Sequence, residues 1–408
     1  MHLPQPYSAR FSFPSATFPR PSRRVEEKAV RNPDKPTKQP LNNPFHPHLA
    51  AAACLLAALT CSHAAETDRP ETQSFLFIGN SFTFRHELKD IFKALAMEGN
   101  PGVDFVTERV TYGGRDLFRH FELCRSQNLL RLSALSDEEI KKSIAEMDQL
   151  ALSDDEPGFY SDYWKSVDSS ALRPWEEYEA NSGKPKEKKP RGRLKQWTTD
   201  RQLIRLAIGN QEDWIANRGN FPKAWNYLVL QSWQDMKADP ETGYLKYAAK
   251  FAEIAKSQNT KVVLYVTAPY SQNGTPVTEP IEKERALMEV RLAAGLAEKI
   301  GALVVPVPLA VYRLQTKGTD LTLRYKNDGH PNQVGAYLTA CLLYAAVFNK
   351  NPEGLGLSEV VETIIVDPEK PTSDPDGNPI KRVFTDAERT LLQRTAWETM
   401  QAFHKGEY

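Results

Sequence analysis

"FLFIGNSFTF", residues 75–84, carries four apolar residues into Gly79 and Asn80, then into a serine and a second apolar turn. The run "FLFI" (75–78) has no polar alternation, which suits a parallel strand covered on both faces. Similar runs recur at "LVL" (228–230), "VVLYV" (262–266) and "LVVPV" (303–307), and "VDFVTERV" (103–110) supplies a further strand. Helical patterns lie between them, from Glu87 to Glu98, Tyr244 to Lys256 and Glu279 to Ile300. In the last of these, Leu287, Val290 and Ala294 share one face. Alternation of this kind predicts an α/β fold: a three-layer α/β/α sandwich around a central, mostly parallel sheet.

The α/β pattern spans residues 70–350 and is interrupted at 125–220 by a stretch that reads as a mostly helical insertion. Within it, "SDEEIKKSIAEMDQL" (136–150) starts with a capping box, Ser136 with Glu139, and 200–219 is again helical in pattern. The basic run "GKPKEKKPRGRLK" (183–195) reads as a solvated loop rather than a nucleic-acid site. Residues 351–408 form a C-terminal extension, looser at first. It ends in a docking helix over 384–405, with a capping box at Thr385 and Glu388 and an apolar face of Leu391, Leu392, Ala396 and Met400.

The 408-residue chain has 52 basic and 52 acidic residues, so no overall field favours nucleic acid or an anionic membrane. Residues 1–48 are rich in proline and polar or basic residues without a sustained period, and read as a disordered or mis-assigned leader. "LAAAACLLAALTCSHAA" (49–65) has an apolar core too short for a stable membrane span but suited to a signal peptide, with cleavage near Ala64. Export, to a periplasm or the medium, is the expectation, and "ALTC" ending at Cys61 is a weak lipoprotein box. The mature chain would keep Cys124 and Cys341, either as one bridge or as buried thiols.

In an open parallel sheet, ligands collect beyond the carboxyl ends of the strands. Ser81 lies three residues beyond its apolar run, either as the N-cap of the next helix or as a nucleophile. "TYGGRDL" (111–117) offers a glycine pair whose N–H groups can meet an anion, or simply a turn. "YLVLQSW" (227–233) ends a strand with the amide of Gln231, and "YKNDGHPNQVGAYL" (325–338) sets His330 in a polar loop before a helix. A histidine beside an acidic residue suggests a general base whose tautomer is fixed by its partner.

These four pieces, in this order, resemble the blocks of the SGNH hydrolases, the superfamily of GDSL-type esterases and lipases with a flavodoxin-like fold. "IGNSFT" is similar to the serine block, with Asn80 where many relatives have aspartate. "GG" at 113–114 resembles the glycine block, and "DGHPNQVGAYL" the histidine block. "VLQSW" stands where a Gly-x-Asn-Asp block is usual, which points to a poorly characterised branch with glutamine there. The resemblance covers about residues 74–124 and 222–348. It implies a serine esterase with Ser81 as nucleophile and His330 as base. Its oxyanion hole would be formed by the N–H groups of Ser81 and Gly114 and the amide of Gln231. The family's aspartate, three residues before the histidine, is Asn327 here, and Asp328 stands two before. Asp328 is the expected acid, with Asn327 or a Ser-His dyad as alternatives. The implied substrate is an acyl ester on a carbohydrate or other small molecule, with no metal or cofactor. The rival reading is an inactive SGNH-like domain that binds a glycan.

Overall fold

Phe75 and Phe77 face one side of the sheet and Leu76 and Ile78 the other, and all four are fully buried. The computed structural model describes residues 71–169, 193–232, 243–267, 272–276, 282–326, 328–365 and 368–407. Its elements are β1 (Glu71–Gly79), α1 (Ser81–Phe84), α2 (Leu88–Gly99), β2 (Val103–Thr111), α3 (Gln127–Leu130), α4 (Asp137–Leu152), α5 (Gly158–Ser169) and α6 (Arg193–Ala216). There follow β3 (Tyr227–Gln231), α7 (Gly243–Lys256), β4 (Lys261–Val266), α8 (Lys283–Ile300), β5 (Leu303–Pro306), α9 (Val307–Thr316) and α10 (Gln333–Phe348). The chain then forms β6 (Glu359–Val361), β7 (Lys381–Val383) and α11 (Asp386–His404).

The five strands β2-β1-β3-β4-β5 form one parallel sheet with β1 near its centre. Side chains alternate between two cores. Leu76, Ile78, Leu228, Leu230, Val262, Leu264 and Val304 meet α7, α8 and the 125–220 region on one face. Phe75, Phe77, Val229, Val263, Tyr265 and Val305 meet α2, α9, α10 and α11 on the other. The chain is therefore an α/β/α sandwich around a parallel sheet. The last strand is one residue shorter than its apolar run: Val307 already belongs to α9, where Pro308 at the second position favours a helix start.

Between β2 and β3 the described residues are mostly helical, and α4 opens with the Ser136–Glu139 capping box. Helix α6 starts upstream of the expected position, at Arg193. Residues 170–192, which include most of the basic run, lie outside the described residues, as do 1–70 with the expected leader and signal segment. In the C-terminal extension, the stretch that reads as loose contributes the antiparallel pair β6–β7, and α11 carries the Thr385–Glu388 box. Helix α10 is apolar almost all round because it lies between the sheet and α11. The described residues belong to one compact unit. Among the described residues no helix is long and apolar enough to cross a membrane. Cys124 and Cys341 are free, buried thiols that belong to the two opposite cores, and burial pushes both pKa values up.

Candidate active site

The parallel register brings Gly79 opposite Thr111 of β2, while Ile78 lies opposite Leu230 of β3. The segments that follow these strands therefore leave the sheet at one edge, with Ser81 between the glycine turn and Gln231. Helix α1 starts at Ser81, but the cap is Asn80, whose side-chain oxygen accepts the Phe82 N–H at 3.2 Å. Asn80, not Ser81, is thus the cap of this helix. Ser81 Oγ instead donates to Nε2 of His330 at 2.6 Å.

His330 lies three residues before the start of α10, and its loop closes on itself through Tyr325 N–H to His330 O (3.2 Å). Its Nδ1 lies 2.5 Å from Oδ1 of Asp328, which also accepts the His330 backbone N–H at 3.1 Å. A carboxylate can only accept, so Nδ1 bears the proton and Nε2 is free to accept from Ser81. The displaced acid reaches the imidazole because the loop wraps Asp328 back over the histidine's own amide. Asn327 lies outside the described residues. Burial disfavours ionised Asp328, but the His330 hydrogen bond and charge, with the Arg85 guanidinium, outweigh it and hold the carboxyl well below the usual range.

Gln231 lies elsewhere than its expected role requires. Its amide is fully buried, and Oε1 accepts both the Asn80 N–H and the Thr83 hydroxyl at 2.9 Å. Because a backbone N–H must meet oxygen, the amide orientation is fixed, and Nε2 donates to Ser232 O at 2.8 Å. These bonds describe a brace beneath the serine turn rather than a donor presented to a bound substrate. A Cβ on Gly79 would lie 2.5 Å from that Oε1, so only glycine permits the approach. Gln231→Leu leaves two buried donors without their acceptor. It is expected to cost about 2–4 kcal/mol, read as a lower urea midpoint, with an accompanying loss of activity as the turn shifts. An unchanged midpoint would show that the brace is dispensable.

Gly114 lies in an exposed turn with φ at +66°. That turn is tied to the serine turn by Asn80 Nδ2, which donates to Arg115 O at 3.0 Å. Just behind it, Arg119 lies between Asp116 (2.7 Å) and Asp200 of α6 (2.8 Å). Tyr160 donates to Asp200 at 2.7 Å and Tyr163 to Asp116 at 3.1 Å, both from α5. Burial alone would lower the Arg119 pKa, but the two carboxylates raise it beyond that of an ordinary arginine. The region between β2 and β3 is thus clamped onto the glycine turn by buried charge.

His120 sits under the same edge, fully buried. Its Nε2 donates to Gly79 O at 2.8 Å and its Nδ1 accepts from the Ser126 hydroxyl at 2.9 Å. Burial lowers its pKa from 6.5 to about 4, against the opposing pull of the Gly79 carbonyl and Asp116. The unfolded chain therefore binds the extra proton first. Stability is full above pH 6.5 and falls as the pH drops towards 4, by about 3 kcal/mol from this group. Buried His86, also lowered, acts in the same direction. Urea unfolding of wild type and His120→Gln across this window should show a shallower pH slope in the variant, and equal slopes would contradict the assignment.

Sequence reading missed Arg85, whose Nη1 meets Asp328 Oδ2 at 2.6 Å, and Glu362, 2.9 Å from the same guanidinium. An arginine in "FRHE" carries no signal of burial. Asp116 and Arg119 were equally silent, because a pair three residues apart carries no signal of burial, and Asp200 because its partner lies 81 positions away. Among the described residues no group of three or more His, Cys, Asp and Glu side chains is arranged to hold a metal ion.

No family model matches the chain, and no curated protein matches it either. Among solved structures, it is similar to the 1.50 Å crystal structure of a DUF4886 family protein from Bacteroides uniformis. The match has 13% identity over 83% of this chain and 97% of that one, with a TM-score of 0.37. At that identity and score, the likeness bears on neither mechanism nor substrate.

Proposed function

We propose that the chain is an SGNH-type serine hydrolase that cleaves an acyl ester on a carbohydrate or another small molecule. The observation that carries this reading is the unbroken series from Ser81 Oγ to His330 Nε2, and from His330 Nδ1 to Asp328. Serine is a weak nucleophile until a base within hydrogen-bond reach takes its proton, and 2.6 Å meets that requirement. In the first step Oγ bonds to the ester carbonyl carbon while its proton passes to Nε2. The carbonyl oxygen becomes an oxyanion, met by the N–H groups of Ser81 and Gly114. Collapse expels the alcohol, which takes the proton from His330, and leaves an acyl group on Ser81. Water then repeats the sequence, giving up a proton to Nε2 and releasing the acid. Asp328 holds the tautomer and stabilises the imidazolium throughout. Export of the mature chain belongs to the same proposal and rests on residues 49–65 alone.

One observation favours the rival reading. The buried Gln231 amide is committed to Asn80, Thr83 and Ser232, which leaves two oxyanion donors where the resemblance implies three. A glycan-binding domain that turns nothing over would tolerate that loss. Incubation with a fluorophosphonate probe distinguishes the two. Labelling of wild type but not of Ser81→Ala supports the hydrolase, and an unlabelled, folded wild type that also leaves p-nitrophenyl acetate intact favours the binding domain.

A further inference from the structure

Asp328 uses one oxygen on His330 and the other on Arg85, and Arg85 extends the series inward. Its guanidinium is almost fully buried, donates from Nε to Glu362 Oε2 at 3.2 Å, and stacks 4.9 Å from the centre of the Tyr325 ring. Glu362 has no exposed side-chain surface. The same Oε2 accepts the Tyr325 hydroxyl at 2.8 Å, and Oε1 accepts the Ile364 N–H at 2.9 Å. Nearby, His86 Nε2 stands 3.8 Å from Glu362 and donates to Pro331 O at 3.0 Å. On the far side of the loop, Arg324 donates to Asp328 O at 3.4 Å and Asp376 accepts the Lys326 N–H at 2.9 Å. The His330 ring itself meets Ser81, Asp328 and the flank of Phe82.

Taken alone, a guanidinium 2.6 Å from Asp328 would cancel much of the charge that Asp328 contributes to His330. Glu362 changes that balance. Two carboxylates and one guanidinium leave a net charge of minus one behind the imidazole, while the fork of Arg85 fixes the geometry.

We propose that Arg85 and Glu362 are positioning residues for the Ser81–His330 pair: Arg85 fixes the outer oxygen of Asp328, and Glu362, brought in by the C-terminal extension, offsets the charge of Arg85. This inference rests on the hydrolase reading above. It assigns the extension a role in the chemistry, although no residue of it touches substrate. It also accounts for an acid two residues before the histidine, since Arg85 holds the displaced carboxylate in place.

The test is kcat/KM for p-nitrophenyl acetate from about pH 4 to 9, whose acid limb reports loss of the free base. Glu362→Gln removes a negative charge and is expected to lower the plateau about tenfold and move the acid limb down by about one pH unit. Arg85→Gln removes the cation and moves the limb upward. Glu362→Asp keeps the charge and returns the limb towards wild type. Circular dichroism establishes that each variant is folded, and if Glu362→Gln is not, the direction of the Arg85→Gln limb decides. Limbs that stay in place, even with slower turnover, would reduce both residues to scaffold and overturn the inference. A wild type that neither hydrolyses the ester nor takes the fluorophosphonate probe overturns the hydrolase reading itself, and this inference with it.

Discussion

His330→Ala is expected to lower kcat/KM for a simple ester by about four to six orders of magnitude, with little change in the urea midpoint. The asymmetry follows from where the side chain sits. The imidazole is partly exposed, and its bonds run to Ser81 and Asp328, so its removal opens no apolar cavity. Without it, the Ser81 proton has no acceptor at 2.6 Å, and the leaving alcohol has no donor. Asp328→Asn should cost less, about three to four orders of magnitude, because it spoils the tautomer without removing the base. Stopped assays with both variants, beside fluorophosphonate labelling, give the ranking. A His330→Ala protein as active as wild type would remove the series from the chemistry altogether.

The second large effect concerns stability. Arg119→Met leaves Asp116 and Asp200 facing each other in a buried site, with Arg115, 3.6 Å from Asp200, as the cation that remains beside them. Breaking a buried ion pair from one side typically costs about 3–5 kcal/mol, because the remaining charge is stranded. Chemical denaturation should register a loss of that size. Adding Asp116→Asn and Asp200→Asn to Arg119→Met should recover most of it, since the cost lies in uncompensated charge rather than in lost attraction. On the proposed hydrolase reading, ester turnover by the single variant should fall as well: the Arg115 carbonyl that anchors Asn80 lies four residues before Arg119, on the clamped turn. A single variant as stable as wild type would show that the cluster is hydrated and weak.

The sandwich was readable because burial on both faces leaves a strong mark. Phe75 to Ile78 and Val262 to Val266 have no polar residue to offer solvent, and the structure sets each between two helical layers. Capping boxes were readable for a similar reason, since Ser136 with Glu139 and Thr385 with Glu388 satisfy orphan N–H groups within one turn. Local chemistry is legible locally. Within the expected helical insertion α5 was not singled out, and the β6–β7 pair was missed, because their stability comes from distant partners: Tyr160 and Tyr163 from Asp200 and Asp116, and Glu362 from Arg85. That Ser81, His330 and Asp328 meet could be expected in advance because each lies in a motif. The direction of the Gln231 amide could not, because it depends on the backbone of Asn80 across the sheet.

The order of residues along the chain also imposes an order in time. Ser81 meets an imidazole 249 positions later, and that imidazole's loop leans on Glu362 and Asp376, later still. During synthesis the serine turn, β1 and β2 emerge long before the residues that would arm them, and long chain closures form late. A ribosome-bound chain that has not yet yielded His330 holds Ser81 without its imidazole partner. If the chain is the hydrolase proposed above, such a nascent chain leaves any ester in the compartment of its synthesis untouched.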